Sequence, residues 1–396
     1  MDFMAGTLSP ASLSDIRALA REWAALLECI SLRRDRERLL DLLSGINWPR
    51  LLLLAEEHGV VGQLAACLND DGAPAAPPEI LRLLLERRRA QIFATLLLTA
   101  ELFRLLELFS RQGISILVIK GPALAAQAYA DPSVRTYGDL DLLVRQRDIR
   151  SATELMMASG YQAAVSLNAI DAGKIPGQYL FSKADPKLLV ELHNDATLRY
   201  FPRPLPVEEW FARQVRVCLD GHQVPAPCVE DSLVLVCVHG AKHFWERLTW
   251  IADVAGLVAR QTSIDWERAA SSAKAVQAEH LLHTGLRLAA DVLRAEFPEA
   301  ISSRVREDAA AAKLAARALH WLPAAGYAPP SLFERAAFRL RMRGSFFAAP
   351  AYLLRLSLSP TEEDWHPGGE VSSNLFLDAL RRPFRLARKY GRIGRS

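Results

Sequence analysis

From position 11 to position 70 apolar residues recur at helical spacing, with Ser14-Asp15 as a capping pair and Gly45, Pro49 and Gly59 as breaks, so the chain opens with a helical leader. The turn-rich stretch from Asp70 to Pro78 then gives way to a long helix expected over Glu79 to Gln112, its polar side carrying Glu and Arg, with Gly113 as its stop. The texture changes at Ile114. Ile114 to Ile119 is short and β-branched, as a buried strand should be. Lys120-Gly121-Pro122 turns that strand into a helix of small residues, Ala123 to Tyr129, and a loop through Asp131-Pro132 to Gly138 leads into a second strand, Asp139 to Val144. Strand alternation puts Asp139, Asp141 and Leu143 on one face and Leu140, Leu142 and Val144 on the other. Asp148 is expected to cap a helix that stops at Gly160. Gln178 to Ser182 and Leu188 to His193 read as two strands joined by an Ala184-Asp185-Pro186 turn, with Leu189, Glu191 and His193 sharing a face. From Glu230 to about Phe297 the period is helical again, and from Trp321 onward the pattern is mixed and rich in Pro and Arg. The plan is helices, a small α/β core, then helices.

Composition narrows this picture. The 396 residues are 51% hydrophobic and 23% charged, an ordinary globular balance with room for two or three cores. A net charge of +3 is too mild to argue for nucleic acid, and the basic residues concentrate only in the tail. Arg381 to Ser396 carries seven Lys or Arg and no acid, interleaved with Phe384, Leu386, Tyr390 and Ile393. Two readings stand for it: a solvated terminal helix docking by its apolar side, or a helix that touches an acidic membrane or RNA surface. Five scattered cysteines form no CxxC and read as reduced core thiols, which excludes a disulfide framework and a zinc knuckle. No apolar run approaches the roughly 20 residues of a membrane span, and the N-terminus lacks a leader pattern; the expected location is cytoplasmic.

The chemistry concentrates where carboxylates interrupt apolar strands. Two acids at i and i+2 on a strand point the same way and can grip one hard cation together, and Mg²⁺ takes one or two protein carboxylates beside water and phosphate oxygens. Asp139 and Asp141 meet that requirement, with Mn²⁺ as the alternative ion. Glu191, on a neighbouring strand, is placed to orient a second metal or to accept a hydroxyl proton, which together makes a two-metal phosphoryl-transfer layout. The plainer reading of the pair is a turn acid after Gly138 and a solvent-facing Asp141. Lys120 and Gly121 sit where a strand becomes a helix, a place that offers close backbone approach and free N–H groups to phosphate. Arg135 either clamps a triphosphate or pairs with Asp131. His239 and His243 have zinc spacing, but Gly240 stands where a metalloprotease needs Glu and no third ligand follows, so zinc is rejected. His239, Lys242, His243, Glu246, Trp250 and Asp253 fall on one broad helical face. Trp245 and Trp250 read as packing residues or as a base-stacking platform.

Lys120-Gly, the Tyr129 to Arg135 loop, Gly138-Asp-Leu-Asp-Leu-Leu-Val144, Val190-Glu-Leu-His193 and His239-Gly-Ala-Lys-His-Phe-Trp-Glu-Arg247 to Asp253 resemble nucleotidyltransferase family 5, a bacterial group within the polymerase-β-like superfamily, over residues 80 to 350. The resemblance implies an α+β fold: a small mixed-sheet nucleotidyltransferase core flanked by N- and C-terminal helical regions. Its expected divisions are 1–112, 113–220, 221–325 and 326–396. It also implies Asp139, Asp141 and Glu191 as metal ligands and catalytic acids. Lys120, Gly121, Arg135, His193, His239 and Lys242 would then face an NTP such as ATP. One departure stands out: the wider superfamily has Gly-Ser where this chain has Lys120-Gly121-Pro122, so the serine that touches the triphosphate is missing.

The leading expectation is therefore Mg²⁺-dependent transfer of an NMP group to a hydroxyl or phosphate of an acceptor, whether peptide, protein, RNA end or small molecule, with pyrophosphate leaving. Two alternatives stand beside it. One is glycosyl transfer from a nucleotide sugar on the same core, opposed by the helical stretch that precedes the acid pair where a sugar-nucleotide fold places several strands. The other is a non-catalytic scaffold binding a peptide or protein partner, opposed by retention of three acids that repel one another without a metal.

Overall fold

A computed structural model describes residues 13–70, 76–164, 177–184, 187–194, 206–261, 263–322 and 330–342. The basic tail, most of the Asp70 to Pro78 turn, and Asp185 and Pro186 lie outside the described residues.

Four helices open the chain: α1 (Leu13–Ile30), α2 (Arg36–Leu43), α3 (Trp48–Glu57) and α4 (Val61–Asp70). Helix α1 already runs at Leu13, so Ser14 and Asp15 lie inside it rather than at its cap. Asp35 and Asn47 supply the caps of α2 and α3, each accepting from a backbone N–H three residues on. Helix α5 (Pro78–Arg111) is the long one, and its end is closed by hydrogen bonds from Gly113 N–H to Ser110 O and from Ile114 N–H to Phe109 O.

The sheet follows. Its strands are β1 (Ile116–Val118), β2 (Leu140–Val144), β3 (Gln162–Ala163), β4 (Gln178–Lys183) and β5 (Leu188–His193), in the order β1-β2-β5-β4-β3. Only the β2–β5 pair is parallel. Helix α6 (Gly121–Ala128) joins β1 towards β2, and α7 (Ile149–Ala158) follows β2. Asp148 occupies the position before α7 but makes no capping hydrogen bond; its carboxylate lies 3.9 Å from Arg147 instead. After the short α8 (Val207–Ala212), β6 (Val215–Leu219) and β7 (His222–Ala226) form a separate hairpin closed by Asp220-Gly221. The remaining described residues form α9 (Val229–Lys242), α10 (Leu248–Arg260), α11 (Trp266–Ala275), α12 (Glu279–Leu293), α13 (Glu299–Glu307), α14 (Ala309–Trp321) and α15 (Leu332–Arg341). This is an α+β architecture: a mixed five-stranded sheet with helical flanks.

Strand alternation divides the sheet between two cores. Ile116, Val118, Leu140, Leu142, Val144, Leu188, Val190 and Leu192 pack in one cluster with Leu102, Leu105 and Phe109 of α5 and Met156 of α7. Leu117 and Leu143 point the other way, into the cluster formed by α1–α4 and α9–α14. Asp139, Asp141, Glu191 and His193 share that second parity, so the face that carries the acids is covered by the helical body. Four of the five cysteines are buried and Cys218, on β6, is exposed, so the reading of all five as core thiols holds for four. Among the described residues no helix is long and apolar enough to cross a membrane.

The N-terminal helices are clamped to this body at two places. Glu28 accepts a bidentate pair from Arg294 at 2.9 and 2.7 Å. His58, fully buried, accepts the Leu248 N–H on Nδ1 at 3.3 Å and the Thr249 N–H on its backbone oxygen at 3.1 Å, satisfying two free donors at the start of α10. Only a neutral imidazole can accept there, and burial, with the nearby Arg247 cation, holds the His58 pKa down to about 4. A depressed histidine pKa favours the fold above the unfolded value and is lost as pH falls towards the folded one. The expected contribution is about 3 kcal/mol, present above pH ~6.5 and lost by pH ~4. Urea titrations across that window should show His58→Gln losing less stability on acidification than wild type by that amount; equal slopes would discard the assignment.

Candidate active site

The parallel register sets Asp141 beside Glu191 and Leu143 beside His193. Asp141 and His193 are 2% and 4% exposed, unusual burial for such groups and a sign that each must find partners. They do. One oxygen, Asp141 Oδ1, receives Lys120 Nζ at 2.5 Å and His193 Nε2 at 3.0 Å. The same His193 nitrogen lies 3.4 Å from Glu191 Oε2, which also accepts a short hydrogen bond from Gln178 on β4. Lys120 precedes α6, and Gly121, at φ 52°, adopts a backbone that a side chain would strain while its N–H opens the helix.

The charges fix one another. Burial raises the Asp141 pKa, but Lys120 and His193 overcome it and hold the carboxyl well below its usual range. Burial likewise pulls Lys120 and His193 down, and the surrounding carboxylates carry both above their ordinary values. Asp139, just outside β2, is pushed up to about 6 by burial and by the Asp141 charge.

The end of α9 carries two further imidazoles. His239 and His243 stand 4.7 Å apart, centroid to centroid, and the His243 ring stacks on Trp250 at 5.0 Å. Burial lowers both imidazole pKa values, His243 to about 3, with Lys120 and Lys242 among the cations acting in the same direction. Both rings are therefore neutral, and Lys120 is near enough to influence them. Trp245 is a core residue, which settles its packing role: it is fully buried, and its folded-back ring is why Gly240 follows His239, since a Cβ there would meet the ring at 2.5 Å.

A family model described as an uncharacterised nucleotidyltransferase matches residues 44–294. The chain belongs to that nucleotidyltransferase family. No curated protein and no solved structure matches it. Family membership supports nucleotidyl transfer as the general activity.

The donor cluster that the fold assembles differs in membership from the expected trio. Asp141, Glu191 and His193 offer ligand atoms that all lie within 4.8 Å of one another, and Asp139 stands outside that group. His193, expected at the nucleotide, is thus brought among the acids. Gln178 was not singled out from the sequence, and only its register opposite His193 could have drawn attention to it. Lys242 lies half-buried in the last turn of α9.

Arg135 has a partner other than the expected Asp131. It does not pair with Asp131, which is held by Arg88 at 2.7 Å. Its guanidinium forks onto Asp253 of α10 at 2.7 and 2.9 Å, with the Gly121 carbonyl at 3.4 Å, and Tyr129 OH donates to the same Asp253 at 2.9 Å. The fork is buried, and through it Arg135 ties the loop before β2 to the helical body. Asp253→Ala leaves that guanidinium buried without its carboxylate, and should cost the fold about 3–5 kcal/mol in denaturant unfolding. A loss below about 1 kcal/mol, typical of an exposed pair, would show the fork to be dispensable.

Proposed function

We propose that the protein transfers the NMP group of an NTP to a hydroxyl or phosphate oxygen of an acceptor, releasing pyrophosphate, at the sheet face that carries Asp139, Asp141, Glu191 and His193. The observation that carries this reading is the in-register Asp141–Glu191 pair with His193 beside it, three donors within 4.8 Å on a covered sheet face. In a nucleotidyltransferase family such a cluster is best explained by phosphoryl chemistry.

The donor set suits a divalent cation. Two carboxylates are the ligands Mg²⁺ or Mn²⁺ takes from protein, and a neighbouring imidazole adds a nitrogen that favours the transition ion. His193 Nδ1 is buried without a hydrogen-bond partner, so its ring retains binding capacity that the fold does not use. Asp141 and Glu191 would hold the ion, with Asp139 at its rim. When bound, a Mg²⁺ or Mn²⁺ ion supplies neutralisation of charge on the phosphate oxygens.

The remaining work falls to side chains. Glu191 accepts the acceptor hydroxyl's proton as its oxygen bonds to the α-phosphorus, the bond from that phosphorus to the bridging oxygen breaks, and pyrophosphate leaves with the electron pair. Lys120 and the Gly121 N–H, at the start of α6, attract the phosphates. His239 and Lys242 line the far wall, where neutral imidazoles beside Trp250 make a surface suited to a planar base. Peptide, protein, RNA end and small molecule all remain acceptors consistent with this chemistry.

Incubation of the protein with each α-labelled NTP, a divalent cation and lysate of the producing cell tests the reading. Label should appear on an acceptor with wild type and fall at least about a hundredfold with Asp141→Asn, whose fold is checked by circular dichroism. Equal labelling by the folded variant would remove Asp141 from the site. Failure of the wild type to transfer label from any of the four NTPs would overturn nucleotidyl transfer itself.

A further inference from the structure

Lys120 is placed where it competes with a cation for the carboxylates. Its ammonium lies 2.5 Å from Asp141 Oδ1, the oxygen that also receives His193 Nε2 at 3.0 Å, and its side chain is 14% exposed. A metal bound to that oxygen at about 2.1 Å would stand no more than about 4.6 Å from the ammonium, a repulsion of a single and a double charge in a covered site. Both cannot stay. The flexible stem of a lysine lets the ammonium move, and it has somewhere to go: Lys120 immediately precedes the first turn of α6, where the free N–H groups of a helix start attract phosphate.

Resting on the nucleotidyl-transfer reading above, we infer that Lys120 is an exchangeable counterion, holding Asp141 while the metal position is empty and released from it by a divalent cation, so that the freed ammonium serves the incoming phosphate. Asp141 needs a positive partner at all times because it is almost wholly buried. The ammonium meets that need without metal, and loses its role when the ion arrives. Metal and phosphate then bind cooperatively, since each supplies a counter-charge the other leaves vacant.

The test reads metal binding rather than turnover. Mn²⁺ affinity, measured by calorimetry without nucleotide, should be at least about tenfold tighter in Lys120→Met than in wild type, because the competing charge is gone. Lys120→Gln, which keeps a polar head, should shift in the same direction. Adding Asp141→Asn to either variant should abolish the gain, proving that the ion sits on this carboxylate. In the wild-type chain labelled with ¹³C at lysine Cε, the Lys120 signal should move on addition of Mg²⁺, which requires no substitution to fold. Unchanged or weaker Mn²⁺ binding in a folded variant overturns the inference, as does a Lys120 signal indifferent to Mg²⁺. Because no step of the test measures transfer, a chain that binds metal as described but moves no nucleotide would sink the functional reading and leave this one standing.

Discussion

A carboxylate buried in the middle of a strand is the constraint around which this protein is organised. Asp141 sits on β2 at 2% exposure, where an isolated charge would cost far more than the fold can spare. Everything near it answers that charge. The parallel pairing with β5, fifty residues on, brings His193 to its oxygen, and β1 ends so that Lys120 arrives from the other side. Glu191 and Asp139 add negative charge to the same place, which a structure built for stability alone would avoid, and burial together with the Asp141 charge pushes Asp139 up to about 6. Such arrangements of like charge mark functional sites more often than structural ones.

The helical body is the second half of that site. Its contribution begins with Arg135 and Asp253, a buried fork that binds the loop before β2 to α10 and thereby fixes where Asp139 emerges. At the end of α9 the His239 imidazole feels the charges of both Lys120 and Asp141. The N-terminal helices act at one remove. They seal the start of α10 through His58 and lock onto Arg294 through Glu28, bracing the helical body from behind.

How much of this the sequence carried depends on the range of the interaction. Four of the strands, the long α5 helix and the facing of Asp139, Asp141, Glu191 and His193 followed from alternation and periodicity, which are local, whereas the two-residue β3 and the β6–β7 hairpin were not anticipated. Of the two readings open for Trp245, its full burial in the core fits packing. Partnerships were not legible. Arg135 could be matched with Asp131 by nearness in sequence, whereas its real partner is 118 residues away on a helix whose approach no local pattern encodes. Asp148 offered a cap by position and type, yet its side chain turned to Arg147. Gln178 was invisible for the same reason, since only strand register makes it a neighbour of Glu191.

The ion pair between Lys120 and Asp141 follows from the same electrostatics. Lys120 carries a full charge on a side chain only 14% exposed, and the carboxylate 2.5 Å away is its counter-charge as much as it is the carboxylate's. His193, at the end of β5, closes on the same oxygen, so one atom of Asp141 gathers a lysine that follows β1 and a histidine that ends β5. Each of these groups is tolerated in its covered position because the others are there, and removing any one would leave an uncompensated charge on the sheet face.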